Sequence, residues 1–276
     1  MLLQINRQYI FLGLLALLLF GLMVIFLPPA YDWREYFIPA TREFISGRSP
    51  FDVYGYFNAP WVLIPFIPLI LLPEPLGRAI LAMATMASYG TIAYRLGAKF
   101  PAIVLILISP PVILNIYNGN VDWLVSLGFI LPPQFGLFFL VTKPQIGSAV
   151  ALFWLVETWR LKGFKEVVRV FAPVTIALVF TFVLYGFWPQ RYFAFGTLTM
   201  NSSLWPYSIP VGLVLIVSSL RKRQLKFAIG ASPCLAPYLT FHSWSTALLA
   251  LSASLPELIT AVIGLWILVG IRGFGY

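Results

Sequence analysis

Four ionisable side chains stand where so apolar a chain would not put them without a reason. Asp32 follows the first long apolar run. Asp122 closes a polar knot made by Asn115, Asn118, Gly119 and Asn120. Lys143 lies between two very short apolar pieces, and His242 is the only histidine. A charged group at membrane depth costs roughly 2.5–3.5 kcal/mol on translocon scales. A carboxylate can act as general base toward a hydroxyl, and a lysine can hold a phosphate as a point charge. A carboxylate, an ammonium and an imidazole brought to one interface would therefore make a site. Each residue also has a plain structural use. Asp32 can be a solvated loop residue or cap the helix that follows, and Asp122 can cap a helix starting at Trp123. Lys143 can snorkel to headgroups, and His242 can sit at the interface beside Trp244.

Several other chemistries lack their residues. The chain has no GxGxxG, P-loop or GxSxG pattern. A zinc site needs three or four ligands, and there is one histidine and one cysteine, Cys234. No metal site is expected, although a divalent ion held by Asp32 and Asp122 stays open as an alternative. Asn201-Ser202-Ser203 fits a glycosylation sequon.

The elements that must position these residues follow from composition. The chain has 276 residues, 60% hydrophobic, 17% aromatic and 10% charged, with a mean hydropathy of +0.90. Soluble domains carry about 45–50% apolar and about 25% charged residues, so an ordinary soluble enzyme is excluded, and disorder needs far lower hydrophobicity. A net charge of +9 comes from 18 Lys+Arg against 9 Asp+Glu. The basic residues cluster between apolar runs, as membrane anchors do, rather than forming a nucleic-acid footprint. A span needs about 20 apolar residues. The expectation is an all-α polytopic membrane protein, one domain over 1–276, with about ten short transmembrane helices.

Residues 9–28 read as a retained first span with the N-terminus cytoplasmic, because Leu27-Pro28-Pro29 is not a small-residue cleavage site. The outer loop 29–60 contains an amphipathic helix over 33–45, with Trp33, Phe37, Ala40 and Phe44 on one side, lying on the membrane and ended by Ser46-Gly47. Residues 61–73 dip into the bilayer; if they cross it, Arg95 and Lys99 fall outside instead of inside. Further spans are expected at 79–94, 101–116, 121–132, 134–142, 146–157, 170–187, 207–220, 227–241 and 245–271, the last bent at Pro256. Basic residues at 160–169 and 221–226 mark cytoplasmic loops, and 188–206 is a second outer loop. On this count Asp32, Asp122, Lys143 and His242 all face outward.

The order of motifs adds a resemblance. Asp32-Trp33-Arg34-Glu35-Tyr36 is followed by Gly47-Arg48-Ser49-Pro50-Phe51, then by Asn58-Ala59-Pro60 and an apolar run to Leu72-Pro73. Ser109-Pro110-Pro111 precedes Asn118-Gly119-Asn120-Val121-Asp122, and Lys143-Pro144 and Ser232-Pro233 come later. This order resembles the polyprenyl-phosphate-dependent membrane glycosyltransferases of the GT-C fold, and is most similar to glycosyltransferase family 87, the mannosyltransferase-like group. Phe51 stands where that family has Tyr, Asn120 where it has Gln, and Asp122 where it has Asn. The resemblance implies an inverting transferase that moves a mannose-like hexose from a polyprenyl-phosphate donor to a glycan, lipid or protein acceptor. It would work at the outer face of a prokaryotic cytoplasmic membrane, with no cofactor and no nucleic-acid partner. It implies Asp32 as general base, Lys143 and Arg191 on the donor phosphate, and His242, Asn120, Asp122 and Tyr36 in donor or acceptor binding. Helix 33–45 and segment 61–73 would rim a lipid groove, and loop 188–206 would close over the site. Two other readings are a transporter or flippase for a lipid-linked substrate, which would share broken helices and mid-membrane charge, and a non-catalytic subunit that keeps the fold.

Overall fold

A computed structural model describes residues 7–191 and 200–273. Those residues form helices, turns and connecting segments, with no β-strand among them. The first helix, α1 (Arg7–Phe26), is almost wholly apolar and largely exposed along its described side chains, from Phe11 at 66% to Phe26 at 73%. The chain then turns at Pro28-Pro29 into a π-helical turn, Trp33–Phe37, that runs on into α2 (Ile38–Ile45). Pro39 explains the widened turn. It has no N–H to give to the carbonyl four residues back, and Ile38 N–H instead reaches Trp33 O, five residues back. Single π turns of this kind are the usual way a helix absorbs such a defect.

The apolar stripe of this helix does not face lipid. Trp33 packs edge-on to Phe66 at 5.4 Å, Phe37 to Phe66 at 5.3 Å and Phe37 to Tyr56 at 6.2 Å. Arg34, Glu35 and Arg42 are exposed on the other side. The amphipathic pattern is therefore satisfied inside the protein. Its cover is a 3₁₀ stretch, Pro60–Phe66, which continues into the short α3 (Ile67–Ile70). Val62, Leu63 and Phe66 of that stretch are buried.

The remaining helices are α4 (Glu74–Arg95), α5 (Phe100–Leu107), α6 (Pro110–Asn118), α7 (Asp122–Leu127), α8 (Pro133–Leu140), α9 (Pro144–Lys162) and α10 (Phe164–Tyr185). After the second loop come α11 (Ile209–Lys222), α12 (Leu225–Leu235), α13 (Ser245–Ala250) and α14 (Leu255–Arg272). The described residues do not hold the expected ten spans. Among them two helices are long and apolar enough to cross a membrane, α10 and α14, and the pair α5 and α6 makes a third if its 54° bend lies within one span. Proline is the physical reason. Pro110, Pro133, Pro144 and Pro256 each sit in the first turn of a new helix, where a missing N–H costs nothing. Pro110 and Pro256 fall inside stretches that the sequence reads as single spans, whereas Pro133 and Pro144 fall between pieces that it already reads as separate and short. The run 245–271 is one such case: it is two helices, α13 and α14, and not one bent span.

The short pieces pack at backbone distance. A Cβ on Gly136 would lie 2.5 Å from Gly128 O and 2.6 Å from the Trp154 ring. Small residues at such crossings let helices approach closely enough to gain dispersion contacts where lipid removes the hydrophobic driving force. This crossing fixes the end of α8, and with it the Thr142-Lys143 connector into α9.

Candidate functional site

The site starts from a helix end. Helix α6 stops because Gly119 adopts φ +66, and the Gly119 and Asn120 N–H groups both return to Asn115 O. The left-handed conformation suits glycine, and no other residue fits: a Cβ here would meet Trp33 Cβ at 2.7 Å and Ala30 Cβ at 3.1 Å. The tight stop sets Asn120 against the head of the π turn that begins after Asp32.

From Asn120 a chain of polar contacts runs through the protein. Its Nδ2 donates to Asp32 Oδ2 at 2.5 Å, and its Oδ1 accepts from Lys143 Nζ at 2.7 Å and from Val121 N at 2.7 Å. The amide is thereby oriented: an ammonium can only donate, so the oxygen must face Lys143 and the NH₂ must face Asp32. Lys143 also donates to Asp122 Oδ1 as an ion pair. Ser243 donates to Asp122 Oδ2 at 2.6 Å. His242 Nε2 lies 2.8 Å from Thr240 Oγ1, 3.5 Å from Lys143 Nζ and 3.6 Å from Asp122 Oδ2. Asp32, Asp122, Lys143 and His242 are 9%, 0%, 8% and 3% exposed, so the four ionisable groups are buried, while Asn120 and Thr240 are half-buried.

Five of the expected residues are therefore one network: Asp32, Asn120, Asp122, Lys143 and His242. None has the bland role that the sequence allowed. Asp32 and Asp122 make no side-chain cap at the helices they head. Lys143 does not snorkel outward, and His242 is buried. Two expected residues lie elsewhere. Tyr36 stands edge-on to Tyr31 at 5.7 Å with its ring against Gly55. Arg191 donates to Phe51 O and its guanidinium lies 6.0 Å from the Phe51 ring centroid. Phe51 in turn stacks on Trp188 at 5.1 Å and leans on Tyr56. A cleft of about 300 Å³ opens here, lined by residues 51 and 53–57 with Arg191. Asp32, Lys143 and His242 do not line it. The part of loop 188–206 from 192 to 199 lies outside the described residues.

Ser243 and Thr240 belong to the network and went unnoticed in the sequence. The signal was there: two hydroxyl residues flank the only histidine within Thr240-Phe241-His242-Ser243. Asn58 and Trp61 also matter to it. Asn58 Nδ2 donates to Thr142 O at 3.2 Å and Trp61 Nε1 to Phe138 O at 2.8 Å, tying the first loop to the connector that carries Lys143.

The electrostatics separate the two carboxylates. Asp122 is matched by Lys143 at contact. Asp32 has only the amide of Asn120, and burial raises its pKa from 3.8 to about 6, against the lowering effects of Asn120 and Lys143. Burial lowers His242 to about 4, so the ring is neutral at pH 7. Nε2 makes its short contact with Thr240 Oγ1, and Nδ1 is buried with no partner among the described residues. Lys143 donates to Asn120 Oδ1 and Asp122 Oδ1, which leaves at most one of its three hydrogens for a phosphate. Asp122 likewise has both oxygens engaged, which tells against its sharing a divalent ion with Asp32. Among the described residues no three His, Cys, Asp or Glu side chains gather as a metal would need. Asp32 differs from both, because its Oδ1 takes no hydrogen bond from the described residues.

Comparison of the chain with protein-family models, with curated proteins and with solved structures finds no match in any of the three.

Proposed function

We propose that the chain is a membrane-embedded glycosyltransferase in which Asp32 is the general base. It would move a mannose-like sugar from a polyprenyl-phosphate donor to a hydroxyl acceptor, with inversion, at the outer face of a prokaryotic cytoplasmic membrane. The observation that carries this reading is Asp32 itself. It is a nearly buried carboxylate just past the first apolar helix, oriented through one oxygen by Asn120, with the other oxygen uncommitted and a pKa of about 6. A base works best when its pKa lies near the operating pH. Asp122, Ser243 and Lys143 support it indirectly by fixing the Asn120 amide.

Lys143 is a different matter from the resemblance. Its ammonium is engaged by Asp122 and Asn120, so the donor phosphate would need a further cation, and Arg191 beside the cleft is exposed. The same engagement favours a second reading, a membrane subunit that keeps the fold without the chemistry. The two part on one experiment: transfer of labelled mannose from polyprenyl-phosphate-mannose by the purified chain in lipid, wild type beside Asp32→Asn. Turnover that is lost in the variant supports the base. Donor binding without turnover in either protein supports the subunit, and absence of donor binding overturns the transferase reading.

A further inference from the structure

The basic residues are as unevenly distributed as the site residues. Helix α9 runs from Lys143 to the turn after Arg160, about 25 Å at 1.5 Å per residue, and α4 spans a similar distance from the Trp33 contact at Gly77 to Arg95. Their far ends are linked through the turn 221–226 and the start of α14. Arg160 donates to Leu220 O, Arg223 pairs with Glu157 at 2.7 Å, Lys226 lies within electrostatic reach of Glu257, and Gly97 backs onto Ala253. The turns at 95–99, 160–169 and 221–226 thus form one end of the bundle. They hold ten of the eighteen Lys and Arg residues, all exposed, while that end has only Glu157, Glu166 and Glu257 of the nine acids.

Two of those acids are already paired, and Glu257 is only within longer electrostatic reach of Lys226. Glu157 takes Arg223 and Arg160, and Glu166 takes Lys162 at 3.7 Å and Arg169 at 3.5 Å. Lys222 and Lys226 have no acidic partner within ion-pair distance among the described residues. Their ammonium groups instead flank one ring, 5.1 Å and 5.3 Å from the Phe227 centroid. At the same end of the bundle Trp159 and Phe164 stand exposed, 60% and 65%, as an edge-on pair at 6.4 Å. Aromatic rings of this kind sit at the headgroup level of a bilayer.

We propose that this end seats on anionic phospholipid, with a headgroup phosphate held between Lys222 and Lys226 beside Phe227. Charge complementarity supplies the phosphate contact. The exposed Trp159, Leu161 and Phe164 supply the apolar flank that a free phosphate would leave in water. The proposal does not depend on the catalytic reading.

The test uses the full chain in a neutral detergent, titrated with phosphatidylglycerol or phosphatidylcholine and read by native mass spectrometry. Phosphatidylglycerol should be retained preferentially at low salt. Lys222→Gln with Lys226→Gln should cut that retention roughly fivefold per charge removed, with the helical circular dichroism unchanged. Arg34→Gln with Arg42→Gln, at the other end, should leave it intact. The proposal is overturned by equal retention of the two lipids, by retention that survives the double variant, by equal loss in the Arg34 and Arg42 control, or by displacement with inorganic phosphate at the lipid's own concentration.

Discussion

Replacing Lys143 with methionine should be among the most destabilising single changes in the cluster. Its partner Asp122 has a side chain with no exposure, and the lysine side chain is 10% exposed. Methionine fills much of the lysine volume, so the loss is mainly electrostatic. The Asp122 carboxylate would be left with Ser243 and a neutral His242, a buried charge without a counterion. Breaking a buried pair in this way costs about 3–5 kcal/mol. For a chain of this size each kcal/mol moves Tm by roughly 2–4 °C, so the midpoint should fall by roughly 6 °C or more. Asp122→Asn should cost less, because the ammonium keeps Asn120 Oδ1 and His242 Nε2. The double variant, with neither charge, should be more stable than Lys143→Met alone, with a coupling of about 2–3 kcal/mol. Thermal unfolding of the four proteins in detergent, followed by tryptophan fluorescence, measures the cycle. Strict additivity of the two single changes, or a Lys143→Met shift under about 2 °C, would refute the idea that the pair neutralises itself in a desolvated core.

Three further outcomes follow from the same geometry. Asp32 binds its proton more tightly folded than unfolded, so stability should be highest below its ordinary value of 3.8 and fall as pH rises to about 6, by about 3 kcal/mol in all; unfolding midpoints across that window check it, while any activity should rise over the same window as the carboxyl group deprotonates. Asn120→Ala removes the hydrogen bond that lowers the Asp32 pKa, so the acid limb of a pH–activity profile should move to higher pH. Gly119→Ala forces a side chain into φ +66 and against Trp33 Cβ; a loss of about 2–4 kcal/mol is expected from strain and overpacking together, whereas Gly47→Ala, at φ +72 with open space around it, should lose only the strain, about 1–2 kcal/mol.

Composition alone determined that the chain is helical and apolar, because so few charges cannot solvate a soluble surface. Local spacing determined the helix over 33–45 with its stop at Ser46-Gly47, and the rarity of ionisable groups in so apolar a chain singled out Asp32, Asp122, Lys143 and His242; Asn120 came from the resemblance, together with Tyr36 and Arg191, which lie elsewhere. Run lengths misled. Pro110 and Pro256 divide stretches that composition reads as single spans, because a composition window does not register where a backbone donor is missing. The amphipathic stripe was legible, but what covers it was not. A stripe records that one face avoids water and is silent on whether lipid or Phe66 does the covering.

The tertiary structure decided who neutralises whom. Asp122 meets Lys143 across 21 residues, Asp32 meets Asn120 across 88, and Lys143 meets His242 across 99. These contacts depend on how α6, α8 and the 3₁₀ turn at Phe241–Trp244 cross, and no local pattern encodes a crossing. Burial then makes the pairing matter. In water either carboxylate would be an ordinary acid, but with both buried the one at contact with an ammonium is held ionised and the one facing an amide has its pKa pushed up to about 6. Residue type and spacing nominated both aspartates, and only packing could tell them apart.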